Sequence, residues 1–217
     1  MRLQKRLISV ALVVMPFWVT ACSASDDPVS TENSIPLGIE SRCDDPSGDV
    51  EIVGENSWDY VNQIADLNSA VVTTGRFDAN SDQPTLLVGI RMYAKTNPIA
   101  ELAMAGSADS AQQSATISIA PVTAREDLLY YHITFEQTSI ANEPQLKVVR
   151  ISAEATPTIY SAPASFEDGL FAAAISLDLL SGISAGSKWK AFSIGSMVIG
   201  GVLAMANDDC DGVLANS

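Results

Sequence analysis

The chain has 217 residues, 47% hydrophobic and 18% charged, and its 12 Lys and Arg against 26 Asp and Glu give a formal charge of −14. This length allows one or two domains with a buried core, and the apolar fraction excludes a disordered chain. The acidity argues against a nucleic-acid partner, which needs a basic surface. A single His and three Cys exclude a metal site built from several imidazoles or four thiolates.

The first 22 residues have the layout of a bacterial export signal. Basic residues at positions 2, 5 and 6 precede an apolar run from Leu7 to Val19. At about 13 residues this run is shorter than the roughly 20 that a membrane-spanning helix needs. The four residues VTAC that end at Cys22 resemble the lipobox of bacterial lipoproteins.

This resemblance implies that residues 1–21 are a signal peptide and that Cys22 becomes the lipidated, palmitate-bearing first residue of the mature protein. Two or more acyl chains hold a protein stably on a membrane. Ser23 follows Cys22 where an Asp would favour retention in the inner membrane. We therefore expect a lipid anchor in the cell outer membrane, with the periplasmic and surface faces both left open.

Residues 22–42 are expected to form a flexible tether, since they are polar and contain Pro28 and Pro36. As a coil of about 20 residues, the tether would reach roughly 25 Å. Loss of residues 1–21 removes three of the 12 basic residues and no acidic one, which leaves a formal charge of about −17. Such a charge repels anionic headgroups, so the lipid would anchor the protein while the folded domain stays away from the membrane surface. Residues 43–217 form one predicted domain.

Alternating apolar and polar residues predict strands through this domain, because a period of two is typical of half-buried strands. Further strands are expected over 169–179, 189–196 and 197–205, and helical patterns over 57–67 and 100–105. About seven to nine strands separated by turns favour an all-β fold, an antiparallel β-sandwich of immunoglobulin-like or jelly-roll-like form with one short helix. The clearest apolar sets are Leu86, Val88, Ile90 and Met92; Ile117 and Ile119; Ile133 and Phe135; and Leu146, Val148 and Ile151.

The predicted domain begins with a sharper motif. The sequence DPSGD at 45–49 resembles the D-P-x-G-D opening of DOMON-like and family 9-like carbohydrate-binding β-sandwiches. Those domains close with a G-x-x-W strand and an acidic end, and GSKW at 186–189 and the acidic run 207–211 are similar. The resemblance implies a β-sandwich that binds glycans or, as in some DOMON relatives, haem.

Two cysteines remain when Cys22 is lipidated. In an oxidising envelope, Cys43 and Cys210 predict a disulfide, and two free buried thiols are the alternative. The bridge would close a loop of roughly 160 residues, for which chain entropy gives at most roughly 5 kcal/mol. It would also gather six carboxylates, those of Asp44, Asp45, Asp49, Asp208, Asp209 and Asp211.

Crowded carboxylates either point into water or surround a cation. Each like-charged pair about 6 Å apart costs on the order of 3 kcal/mol at an effective dielectric constant of about 20. Oxygen ligands select Ca²⁺ over a transition metal, and NDDCDG at 207–212 fits the first half of a calcium-binding loop. A solvated acidic rim is the alternative. The predicted calcium ligands are Asp44, Asp45, Asp49, Asn207, Asp209 and Asp211.

Other chemistries find weaker support. Trp58 is the candidate platform for stacking a sugar ring, with core packing as the alternative. Met92 and His132, the candidate haem ligands, are expected on opposite sides of the fold. The G-x-S-x-G letters at 182–186 lack the downstream His and the following helix of a nucleophile elbow, and no carboxylate pair for glycoside hydrolysis stands out.

We therefore expect a lipid-anchored, non-catalytic binding or accessory module of the cell envelope, stabilised by calcium and binding a glycan or an envelope protein. The alternatives are a haem-binding electron-transfer domain and a polysaccharide-active envelope enzyme.

Overall fold

Strand-forming sequence dominates the molecule, as its alternating pattern predicts. A computed structural model describes residues 40–56, 58–76, 83–95, 99, 108–122, 129–139, 144–152 and 155–214. These residues form 12 strands in two antiparallel sheets, which confirms the predicted β-sandwich and exceeds the predicted number of strands. Within the same ranges, no helix has the length and apolar character that crossing a membrane requires.

The smaller sheet has five strands. They are β1 (Glu40–Asp44), β3 (Leu67–Gly75), β4 (Thr85–Met92), β9 (Ser165–Glu167) and β10 (Leu170–Ser176). Their order across the sheet is β1-β3-β4-β10-β9. The strand predicted over 169–179 corresponds to β10 and is shorter than expected, because a 3-10 turn at Leu177–Leu179 follows it.

The larger sheet has seven strands. They are β2 (Glu51–Val53), β5 (Ser110–Ile119), β6 (Leu129–Thr138), β7 (Gln145–Ser152), β8 (Ala155–Pro163), β11 (Lys188–Ile199) and β12 (Val202–Val213). Their order is β2-β12-β11-β5-β6-β7-β8. A hairpin joins β11 to β12 through Gly200 and Gly201, whose φ values of 57° and 78° lie in the left-handed region that favours glycine.

The core lies between the two sheets and consists of the inward-facing residues of both. The predicted apolar sets on β4, β5 and β6 are fully buried there, as are Leu146 and Val148 of β7. Ile151 is the exception, because its odd separation from Val148 places it on the opposite face, where it is only half-buried.

A short helix, α1 (Asp59–Ala65), covers a second apolar cluster at the end of the larger sheet near the β11–β12 turn. The helix was predicted to extend to Leu67, but that residue is the first of β3. A Cβ at Gly195 would lie 2.6 Å from Ile64 Cγ1, so the missing side chain lets the helix approach β11 closely. The second helical prediction, 100–105, lies outside the described residues.

The ends of the described domain are joined covalently. Cys43 of β1 forms the predicted disulfide with Cys210 of β12, with 6.0 Å between the Cα atoms. Nearby, Trp189 Nε1 donates a hydrogen bond to Ser41 Oγ at 3.0 Å. Strand β1 begins at Glu40, so the last three residues of the predicted tether belong to a sheet; the rest of the tether lies outside the described residues.

Candidate functional site

The acidic run near the carboxyl end lies in strand β12 and not in a loop. Alternate residues of a strand face opposite sides of the sheet. Asp208 follows the buried Ala204 and Ala206 on the inner face, whereas Asp209 faces outward with its alternate neighbours in the strand. The run 207–212 therefore does not wrap around one point, as a calcium-binding loop would.

The outward-facing members of the predicted ligand set have partners of their own. Lys190 Nζ lies 2.6 Å from Asp209 Oδ2, and Asp211 is opposite Lys190 in the register of β11 and β12. The hydrogen bond to Asp209 is the main cause that raises the pKa of Lys190. Asn207 Nδ2 donates a hydrogen bond to Glu51 Oε2 at 3.3 Å.

Asp44 also points away from the disulfide region, because Arg42 Nε lies 2.7 Å from its Oδ1 atom. The structure thus separates four of the six predicted ligands, Asp44, Asn207, Asp209 and Asp211, from the two that remain, Asp45 and Asp49.

Asp45 and Asp49 converge instead on Asp208, and we call these three residues the inner acid cluster. Each contributes a carboxylate oxygen, and the three oxygens lie within 4.8 Å of one another. Asp208 is only 6% exposed. Its Oδ2 accepts a hydrogen bond from the Leu67 N–H at 2.8 Å, and its Oδ1 accepts one from the Asp209 N–H at 2.9 Å.

The turn that carries Asp45 and Asp49 is fixed by a fourth carboxylate. Asp66 Oδ1 accepts a hydrogen bond from the Gly48 N–H at 3.3 Å, and its Oδ2 accepts one from Ser47 Oγ at 3.4 Å. Gly48 has a φ of 85°, which a glycine in the D-P-x-G-D turn supplies without strain. The motif thus forms a turn that brings its acids toward β12.

Burial and mutual repulsion perturb these acids. Burial, followed by the negative charge of Asp208, raises the pKa of Asp45 to about 7. Burial is also the main cause that raises the pKa of Asp66 and that of Asp208. Among the described residues, no group donates a hydrogen bond to the buried Asp45 Oδ2, so a proton or a cation beside it would relieve the repulsion. Calcium in this region stays a prediction.

The remaining predicted ligand-binding residues lie far apart in the fold. Trp58 precedes α1 and packs, half-buried, against the second apolar cluster. Met92 lies in the core between the sheets, whereas His132 lies on the outer face of the larger sheet. Met92 and His132 therefore do not face a shared pocket. The segment 182–186 forms turns that lead into β11.

A cavity of about 580 Å³ opens on the outer face of the larger sheet; we call it the outer-face pocket. The register places Ser118 of β5 between Lys190 of β11 and His132 of β6. Tyr130 lies two residues before His132 on the same face. The described residues that line the pocket are Ser118, Ala120, Tyr130, Lys188, Trp189, Lys190, Asp211, Gly212 and Val213.

Aromatic rings contact one another beside this pocket. The rings of Tyr130 and His132 meet edge to face with centroids 4.9 Å apart, and His132 meets Phe192 with centroids 6.2 Å apart. Because Phe192 lies on β11 and His132 on β6, their contact crosses β5 beside Ser118. Burial lowers the pKa of His132, which favours the neutral imidazole.

Neither the pocket nor the roles of Asp208 and Asp66 were predicted from the sequence. Strand alternation in β12 is a signal that distinguishes Asp208 from Asp209. The pocket has no such signal, because its walls come from strands that are distant in the sequence. No protein-family model matches the chain, and neither curated proteins nor solved structures show a match to it.

Proposed function

We propose that this protein is a lipid-anchored, non-catalytic binding module of the bacterial cell envelope, held in the outer membrane through Cys22. The lipobox-like sequence supports the anchor, and the outer-face pocket is the observation that carries the binding role. A volume of about 580 Å³ lies within the range of small-molecule binding sites, which combine apolar walls with a few convergent polar groups.

The way in which the chain enters the domain supports the same proposal. Strand β1 begins at Glu40, inside the predicted tether, and the disulfide three residues later joins β1 to β12 in the other sheet. A domain held by its amino terminus would transmit any pull on the tether to both sheets. A disulfide also suits an oxidising compartment.

A binding role is supported by the contents of the pocket. Lys188, Lys190, Ser118 and Asp211 line it, and Lys190 is held by Asp209. The lining thus supplies groups that bind and orient a ligand. His132, whose neutral form could accept a proton, makes its ring contacts with Tyr130 and Phe192.

Metabolic labelling with a palmitate analogue, combined with membrane fractionation, tests the anchor. We expect label and outer-membrane location in the wild type and loss of both in Cys22→Ser. The matched control is Ser23→Ala, which keeps the cysteine. An unlabelled wild-type protein, or a Cys22→Ser protein still in the membrane fraction, would contradict the proposal.

A further inference from the structure

We propose that a cleft on the outer face of the smaller sheet binds a phosphate group between the guanidinium groups of Arg42 and Arg91. We call it the arginine cleft. It lies on the sheet opposite to the one that carries the outer-face pocket, so the inference goes beyond the proposed function and does not depend on it. The cleft has a volume of about 180 Å³ and is lined, among the described residues, by Arg42, Ser69, Val71, Gly89, Arg91 and Leu170.

Strand pairing places the two arginines on the same face of the sheet. Arg42 of β1 is opposite Val71 of β3, which is itself opposite Gly89 of β4. Arg91 of β4 is opposite Ser69 of β3. The two arginines therefore come from strands on either side of β3, and two strand spacings, or about 10 Å, separate these strands. Their side chains line one cleft from its two sides.

The floor of the arginine cleft is low because Gly89 has no side chain. A Cβ at this position would lie 3.0 Å from Val71 Cγ1 and 3.6 Å from Leu170 Cδ1, so any side chain there would fill the space between these two walls. The cleft is smaller than the roughly 300 Å³ at which pockets for drug-sized ligands begin. It therefore admits one compact group and leaves the rest of a larger molecule outside.

Each guanidinium group keeps donors for a ligand. Arg42 Nε lies 2.7 Å from Asp44 Oδ1. Arg91 Nη1 donates a hydrogen bond to the Asp168 carbonyl oxygen at 3.0 Å and lies 3.8 Å from Asp168 Oδ2. A guanidinium group carries five N–H donors on three nitrogens, and these contacts between described residues engage one nitrogen of each arginine. The other two nitrogens of each side chain are the ones that we assign to the phosphate.

Two guanidinium groups on separate strands favour a tetrahedral anion over a planar one. A carboxylate presents two oxygens in one plane, which suits the fork of a single arginine. A phosphate group directs its oxygens to several sides, so each arginine can bind a different pair of them. Val71 and Leu170 add apolar walls, which suit the carbon atoms next to the phosphate in a phosphate monoester.

The negative charge of the chain weakens this site without abolishing it. Exposed charges that lie further away than the Debye length, about 8 Å at physiological ionic strength, are largely screened. Asp44 and Asp168 are each paired with one of the two arginines, and Glu167 lies one strand beyond Leu170 at the edge of the sheet. We therefore expect weak binding, with a dissociation constant of about 1 mM.

Phosphate of this chemistry has two sources in a cell envelope. Arg42 is the last residue of the predicted tether, whose coil reach is roughly 25 Å. If Cys22 carries the proposed anchor, phosphate-bearing lipid headgroups lie within the reach of the tether. Soluble phosphate esters are the other source, and they do not require the domain to approach the membrane.

Nuclear magnetic resonance titration of the lipidated full-length protein, held in a phosphate-free detergent, tests the inference through its arginine guanidinium signals. The probes are inorganic phosphate, the soluble lipid dihexanoyl phosphatidic acid, and acetate as the planar anion. We expect the signals of Arg42 and Arg91 to shift together with phosphate, and acetate to bind at least about tenfold more weakly. Tighter binding of the lipid than of inorganic phosphate would identify a headgroup as the source, and the reverse order would identify soluble phosphate.

Substitutions locate the site. Arg42→Gln and Arg91→Gln, each followed through the remaining arginine, should weaken phosphate binding by at least about tenfold. Arg91→Lys keeps the charge but loses the planar fork, so it should weaken binding as well. The matched control is Arg150→Gln, which removes the same charge from an exposed residue of β7 in the other sheet and should leave binding unchanged. Thermal melting verifies that each variant folds.

Four results would overturn the inference. They are the absence of any shift in Arg42 and Arg91 at about 10 mM of both phosphate probes, acetate binding as tight as phosphate binding, wild-type affinity in Arg91→Lys, and a loss in Arg150→Gln equal to that in Arg91→Gln.

Discussion

Asp208 and Asp209 are adjacent in β12, yet they differ in burial, in hydrogen bonding and in their charged neighbours. Asp208 is buried between the sheets, accepts two backbone hydrogen bonds and lies beside Asp45 and Asp49. Asp209 is about half exposed and paired with Lys190. One step along a strand moves a side chain from one face of the sheet to the other, so a run of acids in the sequence is divided between two environments.

This contrast changes what an acidic run means for function. On the outer face, the lysines of β11 compensate the acids and create a mixed polar surface beside the pocket. On the inner face, the disulfide and the turn at 45–49 press carboxylates together, and burial raises the pKa of Asp45 to about 7. Substitutions confined to the inner or to the outer face of β12 distinguish these two environments.

Removing the disulfide should have the largest effect, because it joins the two strands that bring Asp45 to Asp208. The Cys43→Ala/Cys210→Ala variant loses a crosslink between residues 167 positions apart, for which chain entropy predicts at most about 5 kcal/mol of unfolding free energy. Urea denaturation measures this loss. Reduced wild-type protein is the control and should match the variant, and a loss below about 1 kcal/mol would contradict the expected role of the bridge.

The next effect concerns the hydrogen bonds of Asp208. Asp208→Ala leaves the buried Leu67 N–H without its acceptor, which should lower the unfolding free energy by about 1–3 kcal/mol. Asp208→Asn keeps an acceptor oxygen and removes the charge, so its loss should be smaller at pH 7. If both variants lose the same stability in urea denaturation, the hydrogen bond to Leu67 does not explain the role of Asp208.

These residues also show how far sequence reasoning reaches. The period of two identified the core faces of β4, β5 and β6, and an even pair of cysteines in a chain expected to enter an oxidising envelope predicted the bridge. The same reasoning treated 207–212 as a loop, because acids and a terminal glycine dominate its composition. Its pairing with β11 holds it as a strand, and tertiary context of this kind routinely overrides local preference.

The residues that meet in the inner acid cluster and in the outer-face pocket depend on strand pairings that no local sequence pattern specifies. Lys190 reaches Asp209 and Asp211 through the register of β11 and β12. Asp66 joins the turn at 45–49 because α1 ends just before β3. The outer-face pocket exists because β11 lies beside β5, and the chain between these two strands passes through both sheets.

The pH dependence of stability separates the inner acid cluster from the outer ion pair. The pKa of Asp45 is about 7 in the folded protein against 3.8 for an ordinary aspartate, so the folded state keeps a proton that the unfolded state releases. Stability from this group is complete below pH 3.8 and is lost as the pH rises through 7. In EDTA, the melting temperature should therefore fall from pH 5 to pH 8.

Asp45→Asn is the control for this measurement and should reduce the fall between the two pH values. Excess calcium should raise the melting temperature at pH 8 more than at pH 5 if the cation binds the deprotonated carboxylates. A fall of the same size in Asp45→Asn would refute the role of Asp45, and identical melting curves with and without calcium would refute the metal.

The smallest effect is expected on the outer face. Asp209→Asn breaks an ion pair with Lys190 in which both side chains are about half exposed, and such pairs contribute at most about 1 kcal/mol. Salt screens exposed charges, so a double-mutant cycle with Lys190→Gln should give a coupling energy that shrinks as salt is raised. The variant should leave the fall in melting temperature from pH 5 to pH 8 unchanged, since the sheet separates Asp209 from Asp45. A change in that fall as large as the one caused by Asp45→Asn would mean that the two faces of β12 are electrostatically coupled.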